Sequence, residues 1–143
     1  MSEREFARPL PDPDETTEEY WAAAARGELA LPRCSNCRRR CLPPTPVCPN
    51  CGTTEPRYEY EPVDGAGVLK SWTVVRDAFL PGFGSEVPYV LVDVQLDSEP
   101  SIRMIGRLLE GLEVDLHIGG RVNLAFESPV DGVAVPAFTL EPS

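Results

Sequence analysis

Cys34-Ser-Asn-Cys37, then ten residues, then Cys48-Pro-Asn-Cys51-Gly52: the reading of this stretch decides how the 143-residue chain is built. Two CxxC pairs at this spacing are the signature of a tetrahedral four-thiolate zinc site. Each pair forms a knuckle whose backbone amides point at the sulfurs, and the linker lets the two knuckles face each other. A soft, non-redox cation suits four anionic sulfurs without strain. With Cys34, Cys37, Cys48 and Cys51 all engaged, no position remains for water, so the expected zinc is structural rather than catalytic. Gly52 follows the second knuckle, where a left-handed backbone is often needed. Arg38 holds the matching place in the first and is expected to carry modest strain. Cys41 lies outside both knuckles and reads as a buried or free thiol in preference to a fifth ligand.

Outward from the cysteines, the N-terminal side reads as an arm and a helix. Pro9, Pro11 and Pro13 keep residues 1–14 extended, since proline blocks a helix interior. Thr16 with Glu19 predicts a capping box, Tyr20 to Ala25 continue the helix, and Gly27 stops it. Tyr20 shares a face with Ala24, and Trp21 with Ala25. A helix so rich in alanine needs a surface to lie on, its own body or a partner's. On the C-terminal side, segments 57–61, 68–75, 89–96, 102–108, 121–127 and 135–140 read as strands. Val90, Val92, Val94 and Leu96 alternate onto one face, and 110–118 is a short helix or an irregular link. Strands of this number and spacing point to a small closed barrel, with a five-stranded oligonucleotide/oligosaccharide-binding (OB) barrel the simplest candidate. The chain therefore divides into an arm and helix (1–31), a cysteine module (32–56) and a barrel (57–143), a mainly β protein with one N-terminal helix.

Composition narrows function. The net charge is −10, yet residues 33–57 carry five arginines against Glu55 alone, while residues 63–143 hold five basic and twelve acidic side chains, a balance of −7. An acidic barrel repels phosphate backbones. That weighs against a single-stranded nucleic-acid module, although Trp72, Tyr58 and Tyr60 could stack on bases. No apolar run is long enough to cross a bilayer, and the charged, proline-rich start is unlike a signal peptide. A cytoplasmic protein is expected, where cysteines favour metal over disulfides. His117 is the single histidine and sits beside Gly119-Gly120, a loop setting that does not favour catalysis. No carboxylate pair, phosphate-binding loop or hydrolase elbow stands out. The loop 77–88 (DAFLPGFGSEVP) is unusually apolar: Phe79, Leu80 and Phe83 either form a docking surface or fold back to plug one end of the barrel.

The order PDPDETTEEYW, AAARGEL, RCSNC, PPTPVCPNCG, GVLKSWTVV and FLPGFGSEVPYVLVDVQL resembles the zinc-ribbon/OB-fold family once labelled only as a domain of unknown function, over roughly residues 9–139. The resemblance implies a rubredoxin-like ribbon with Cys34, Cys37, Cys48 and Cys51 as ligands; Arg38, where glycine is usual, and Cys41 depart from the pattern. It also implies a non-catalytic partner of thiolase-superfamily enzymes acting on acyl-CoA: aldolases that shorten steroid side chains, thiolases, or acyltransferases. Nucleophile and bases would then belong to the larger subunit of a hetero-oligomer. Tyr20, Trp21, Phe79, Leu80 and Phe83 are the expected contact surface. Arg33, Arg38, Arg39 and Arg40 would steer an acidic partner or CoA phosphates, or balance the thiolate charge. A stand-alone CoA or acyl-CoA carrier is the remaining alternative.

Overall fold

The computed structural model describes residues 8–142, so the first half of the expected extended arm, 1–7, lies outside them. One helix and seven strands follow in order: α1 (Glu18–Ala25), β1 (Leu29–Arg33), β2 (Glu59–Val63), β3 (Gly67–Val75), β4 (Tyr89–Leu96), β5 (Arg103–Leu108), β6 (Arg121–Val130) and β7 (Val133–Leu140). Strands β1 and β2 form an antiparallel pair that brackets the cysteine module; the other five close a barrel in the order β3-β4-β5-β7-β6. Among the described residues no helix is long and apolar enough to cross a membrane.

The expected segment 57–61 does form a strand, but as β2 it pairs with β1 instead of entering the barrel. β1 itself escapes periodicity, because Leu29, Ala30, Leu31 and Pro32 are all buried and show no alternation. Its leucines join the barrel core of Val92, Val94, Leu96, Leu108, Val122 and Phe138, so the ribbon's first strand and the barrel share one apolar interior. β4 alternates as its sequence predicts, with Val90, Val92, Val94 and Leu96 all buried.

Helix α1 starts differently from the Thr16–Glu19 box. Asp14 and Thr17 make the reciprocal pair: Asp14 Oδ1 accepts from the Thr16 and Thr17 amides at 2.9 and 3.0 Å, and the Asp14 amide donates to Thr17 Oγ1 at 3.0 Å. A shorter carboxylate reaches the free amides of this turn where Glu19, already one turn inside, does not. These bonds hold the Asp14 carboxyl below its ordinary pKa, the Thr16 hydroxyl contributing most. The helix lies on its own body, burying Ala23 and Ala24 while Tyr20 packs against the core. Gly27, with φ of 78°, ends it.

Barrel closure is short. β3 meets β6 only through Gly67↔Val122 and Val68↔Arg121, extended by Leu69 and Gly120 across a 2.8 Å backbone bond. Gly67 has to be glycine here, since a Cβ would stand 2.4 Å from the Gln95 carbonyl oxygen. The segment between β5 and β6 forms turns, not a helix, and Gly119-Gly120 brings it back onto β3.

Candidate metal centre and flanking surfaces

The two knuckles are local copies of each other. Cys34 N donates to Arg39 O and Cys48 N to Thr53 O, five residues on in each case, at 2.9 and 3.0 Å. Arg38 N donates to Cys34 O and Gly52 N to Cys48 O, both at 2.9 Å. In both knuckles the residue donating this second bond is left-handed, with φ of 65° at Arg38 and 76° at Gly52, which turns the following carbonyl back toward the first cysteine's amide. Glycine tolerates that conformation and arginine is strained in it by roughly 1 kcal/mol. Arg38→Gly is therefore expected to raise stability by about 0.5–1 kcal/mol in urea unfolding. A loss instead would mean that the exposed Arg38–Glu59 ion pair (3.1 Å) outweighs the backbone strain.

The knuckles face each other through a tie from Ser35, whose amide and hydroxyl both donate to Pro56 O at 2.9 and 2.8 Å. All four sulfurs lie within 4.8 Å of one another, with Cys34–Cys51 at 3.9 Å and Cys37–Cys48 at 3.7 Å. Tetrahedral zinc with bonds of about 2.3 Å separates its sulfurs by about 3.8 Å, so the donor set fits the ion. The surroundings also favour thiolate. Asn36 Nδ2 donates to Cys51 Sγ at 3.3 Å, and this amide with that of Thr53 brings the Cys51 thiol down to about 6. Cys48 is lowered by the amides of Cys51 and Asn50. Cys37 goes the other way: the Arg39 amide favours its thiolate, but burial and three neighbouring sulfurs push it up to about 11. Sulfurs this crowded cannot all ionise without a cation among them. Cys41 lies outside the cluster, buried, its thiol raised mainly by desolvation.

The arginines beside this centre are mostly engaged. Arg33 pairs with Glu61, Arg40 bridges Glu61 (2.6 Å) and Glu99 (3.6 Å), and Arg38 pairs with Glu59. Arg33 first and Arg40 second hold the Glu61 carboxyl below its ordinary pKa. With Arg39, these side chains border a cleft of about 540 Å³ between ribbon and barrel that also contains Glu99. Arg40 further donates to Ser98 O at 3.3 Å and so ties the ribbon to the β4–β5 turn. Sequence reasoning found the arginines and missed their acids, which lie on β2 and beyond β4.

The five residues expected to form a contact surface separate in space. Tyr20 is used internally, burial pushing its hydroxyl up to about 12. Trp21, edge-on to Tyr20 at 4.9 Å, lines a groove of about 380 Å³ with Leu42, Pro44, Met104 and Ile105. Phe79 is 94% exposed and Leu80 58%. Phe83 turns back to lie 6.1 Å from the Tyr89 ring. None of the three loop side chains belongs to the barrel core, so the loop does not plug it. His117 is exposed in the β5–β6 link, its carbonyl accepting from Gly120 N at 3.0 Å. Asn36 is the site residue that sequence reasoning missed. Its signal was present, since asparagine stands before the second cysteine of both pairs.

The comparisons agree with this architecture. The family model "ChsH2, rubredoxin-like zinc ribbon domain" matches residues 21–57, and "ChsH2, C-terminal OB-fold domain" matches residues 60–127. Among solved structures, the chain is similar to one in the "Ltp2-ChsH2(DUF35) aldolase", with a TM-score of 0.76 and 26% identity, covering 91% of this chain and 98% of that one. A protein of unknown function from the DUF35 family of Sulfolobus solfataricus shares the fold, with a TM-score of 0.56 and 14% identity over 89% of this chain and 86% of that one. No curated protein matches.

Proposed function

Because the chain belongs to the ChsH2-type family of a rubredoxin-like zinc ribbon joined to an OB-fold domain, we propose that it is a non-catalytic accessory subunit bracing a thiolase-superfamily enzyme that makes or cleaves carbon–carbon bonds in acyl-CoA substrates. The similarity over nearly the full length of a chain from an Ltp2-ChsH2 aldolase carries this reading. Steroid side-chain retro-aldol cleavage is the reaction within this class that such a likeness favours, and the cytoplasm the compartment. The site chemistry is consistent with it. Cys34, Cys37, Cys48 and Cys51 would hold zinc, whose charge offsets that of the thiolates and cross-links the knuckles. Four thiolates fill its coordination and leave no open position for substrate. The nucleophile and bases are then the partner's.

Phe79 and Leu80 are the strongest contact candidates, since large apolar side chains this exposed gain most from burial in a partner's pocket. The arginine cleft is a weaker CoA site than its sequence suggests, because Glu61, Glu59 and Glu99 already engage three of its four guanidiniums. Pairing also disfavours nucleic acid: Arg103, Arg107 and Arg121 of the barrel are bound to Asp93, Glu86 and Asp97. Of the three candidate stacking residues, Tyr58 and Tyr60 donate their hydroxyls to Thr45 O and Thr16 O and lie on the ribbon side, which leaves Trp72 alone exposed on β3 of the barrel.

Co-expression with the thiolase-like enzyme encoded nearest to this chain tests the proposal. The enzyme is expected to co-purify with this subunit and to be inactive or insoluble without it. Phe79→Ala with Leu80→Ala should weaken the complex by ~10- to 100-fold at unchanged zinc content. A monodisperse, fully active enzyme obtained alone would refute the reading.

A further inference from the structure

The Asp77–Pro88 loop has no sheet partners, and residues 76–81 are exposed. An unanchored apolar loop would sample many conformations and lose entropy on docking. Its second half is nonetheless fixed. The amides of Glu86 and Val87 donate to Phe83 O at 3.0 and 3.2 Å, closing a turn that carries both Phe83 and Glu86. Glu86 accepts from Arg107 of β5 at 2.5 Å and lies 3.6 Å from Arg8. The Arg8 guanidinium stacks on the Phe83 ring at 4.8 Å and donates to Glu127 of β6 at 2.8 Å. On the other side, Arg107 stacks on Tyr89 at 4.9 Å. Each of the two neighbouring rings thus carries its own guanidinium, and Glu86 bridges the two arginines. The Arg8, Glu86 and Glu127 side chains are each only about a quarter exposed or less, a setting that strengthens charge-assisted bonds and cation–π contacts.

We propose that Arg8, pinned between Glu127 of the barrel and Phe83 and Glu86 of the loop, is a strap by which the N-terminal arm locks the Asp77–Pro88 loop and presents Phe79 and Leu80 as a fixed prong. This deepens the docking reading and, for its functional value, rests on it; the clamp itself does not. The arm crosses to the loop from far away in sequence, so changing residue 8 changes a surface formed by residues 79 and 80. Arg107 holds the same Glu86 from β5, so what the strap adds is its stacking on Phe83 and the tie to Glu127.

Native-state cleavage by chymotrypsin at the Phe79–Leu80 bond of the full chain, followed by mass spectrometry, tests the strap. Arg8→Ala should accelerate cleavage ~10-fold by losing both the stacking and the carboxylate bonds. Arg8→Lys should fall between, since a lysine keeps the charge without the planar guanidinium. Arg26→Ala, which removes an exposed arginine elsewhere, should match the wild type. If Arg8→Ala does not fold, Glu127→Gln probes the same clamp from the barrel side. Equal cleavage of a folded Arg8→Ala chain and the wild type overturns the strap, whatever any partner does. Accelerated cleavage upholds it, and slower association of the same variant with the co-purifying enzyme then extends it to docking. If the strap variant cleaves faster but no enzyme binds even the wild type, the accessory-subunit reading fails and the strap stands.

Discussion

Cys34→Ser is expected to empty the metal centre and unfold the ribbon, the largest single-residue effect available in this chain. Cys34 is fully buried, and its backbone ends β1 and closes the first knuckle through Arg39 O. Serine at neutral pH offers a hydroxyl where a thiolate must neutralise the cation, and the remaining three sulfurs leave the tetrahedron open. Binding of a structural zinc contributes on the order of 10 kcal/mol in units of this size, and without it they are unfolded. The consequence is graded along the chain. Residues 34–57 should lose amide protection, and β2 should loosen from β1. β1 is held by Leu29 and Leu31 in the barrel core and should stay partly protected. Hydrogen exchange read by segment, with zinc measured by elemental analysis, checks both parts. One equivalent of zinc in the wild type and a fraction in the variant is the expected pair. Full zinc occupancy and unchanged exchange in Cys34→Ser would mean that the knuckles fold by their own hydrogen bonds.

Acid should act on the same centre. Thiolates compete with protons for the cation, so zinc is retained at neutral pH and released as pH falls. The Asn36 amide, by holding the Cys51 thiol near 6, extends retention to lower pH. Asn36→Ala is expected to move the release midpoint upward, as followed by a chromogenic chelator. An unmoved midpoint would assign Asn36 to shaping the knuckle alone.

The ribbon was legible because its information is local. Two CxxC pairs determine the ligands, and the left-handed turns at Arg38 and Gly52 follow from the knuckle geometry. β4 was legible for a similar reason, its alternation being set by a barrel with one wet face. What stayed hidden depends on contacts between distant segments. β2 looked like the barrel's first strand, and nothing in Glu59–Val63 itself says that its partner is Leu29–Arg33. The arginine cluster read as a free cationic patch because its acids, Glu59, Glu61 and Glu99, lie 19 or more residues downstream in other elements. Likewise the apolar loop could be weighed only as a surface or a plug. The structure divides it instead, with Phe79 and Leu80 outward and Phe83 held against Tyr89 and Arg8.

Phe138→Ala should be the most damaging substitution in the barrel. Phe138 is fully buried and lies where β5 and β7 run parallel, paired with Leu108 and accepting from Leu109 N at 2.9 Å. It also pairs with Leu124 of β6, so one ring stands at the junction of three strands. The neighbouring strand β5 is shaped to receive it: a Cβ on Gly106 would stand 3.0 Å from Phe138 Cδ2. Truncating a buried phenylalanine costs about 3–5 kcal/mol, from lost transfer energy and the cavity left behind. Gly106 has no side chain with which to refill that cavity, and the rigid strand pairings limit collapse, which places the loss toward the upper end. For a chain whose total stability is of the usual order, about 5–15 kcal/mol, this removes a large fraction. Denaturant unfolding followed by Trp72 fluorescence in a Trp21→Phe background reads the barrel, and zinc retention reads the ribbon. The expected result is a large drop in the barrel midpoint while zinc remains bound below it, because the cysteine ligands do not touch Phe138. Simultaneous loss of zinc at the barrel midpoint would show instead that Leu29 and Leu31, shared by both cores, make the two modules unfold as one.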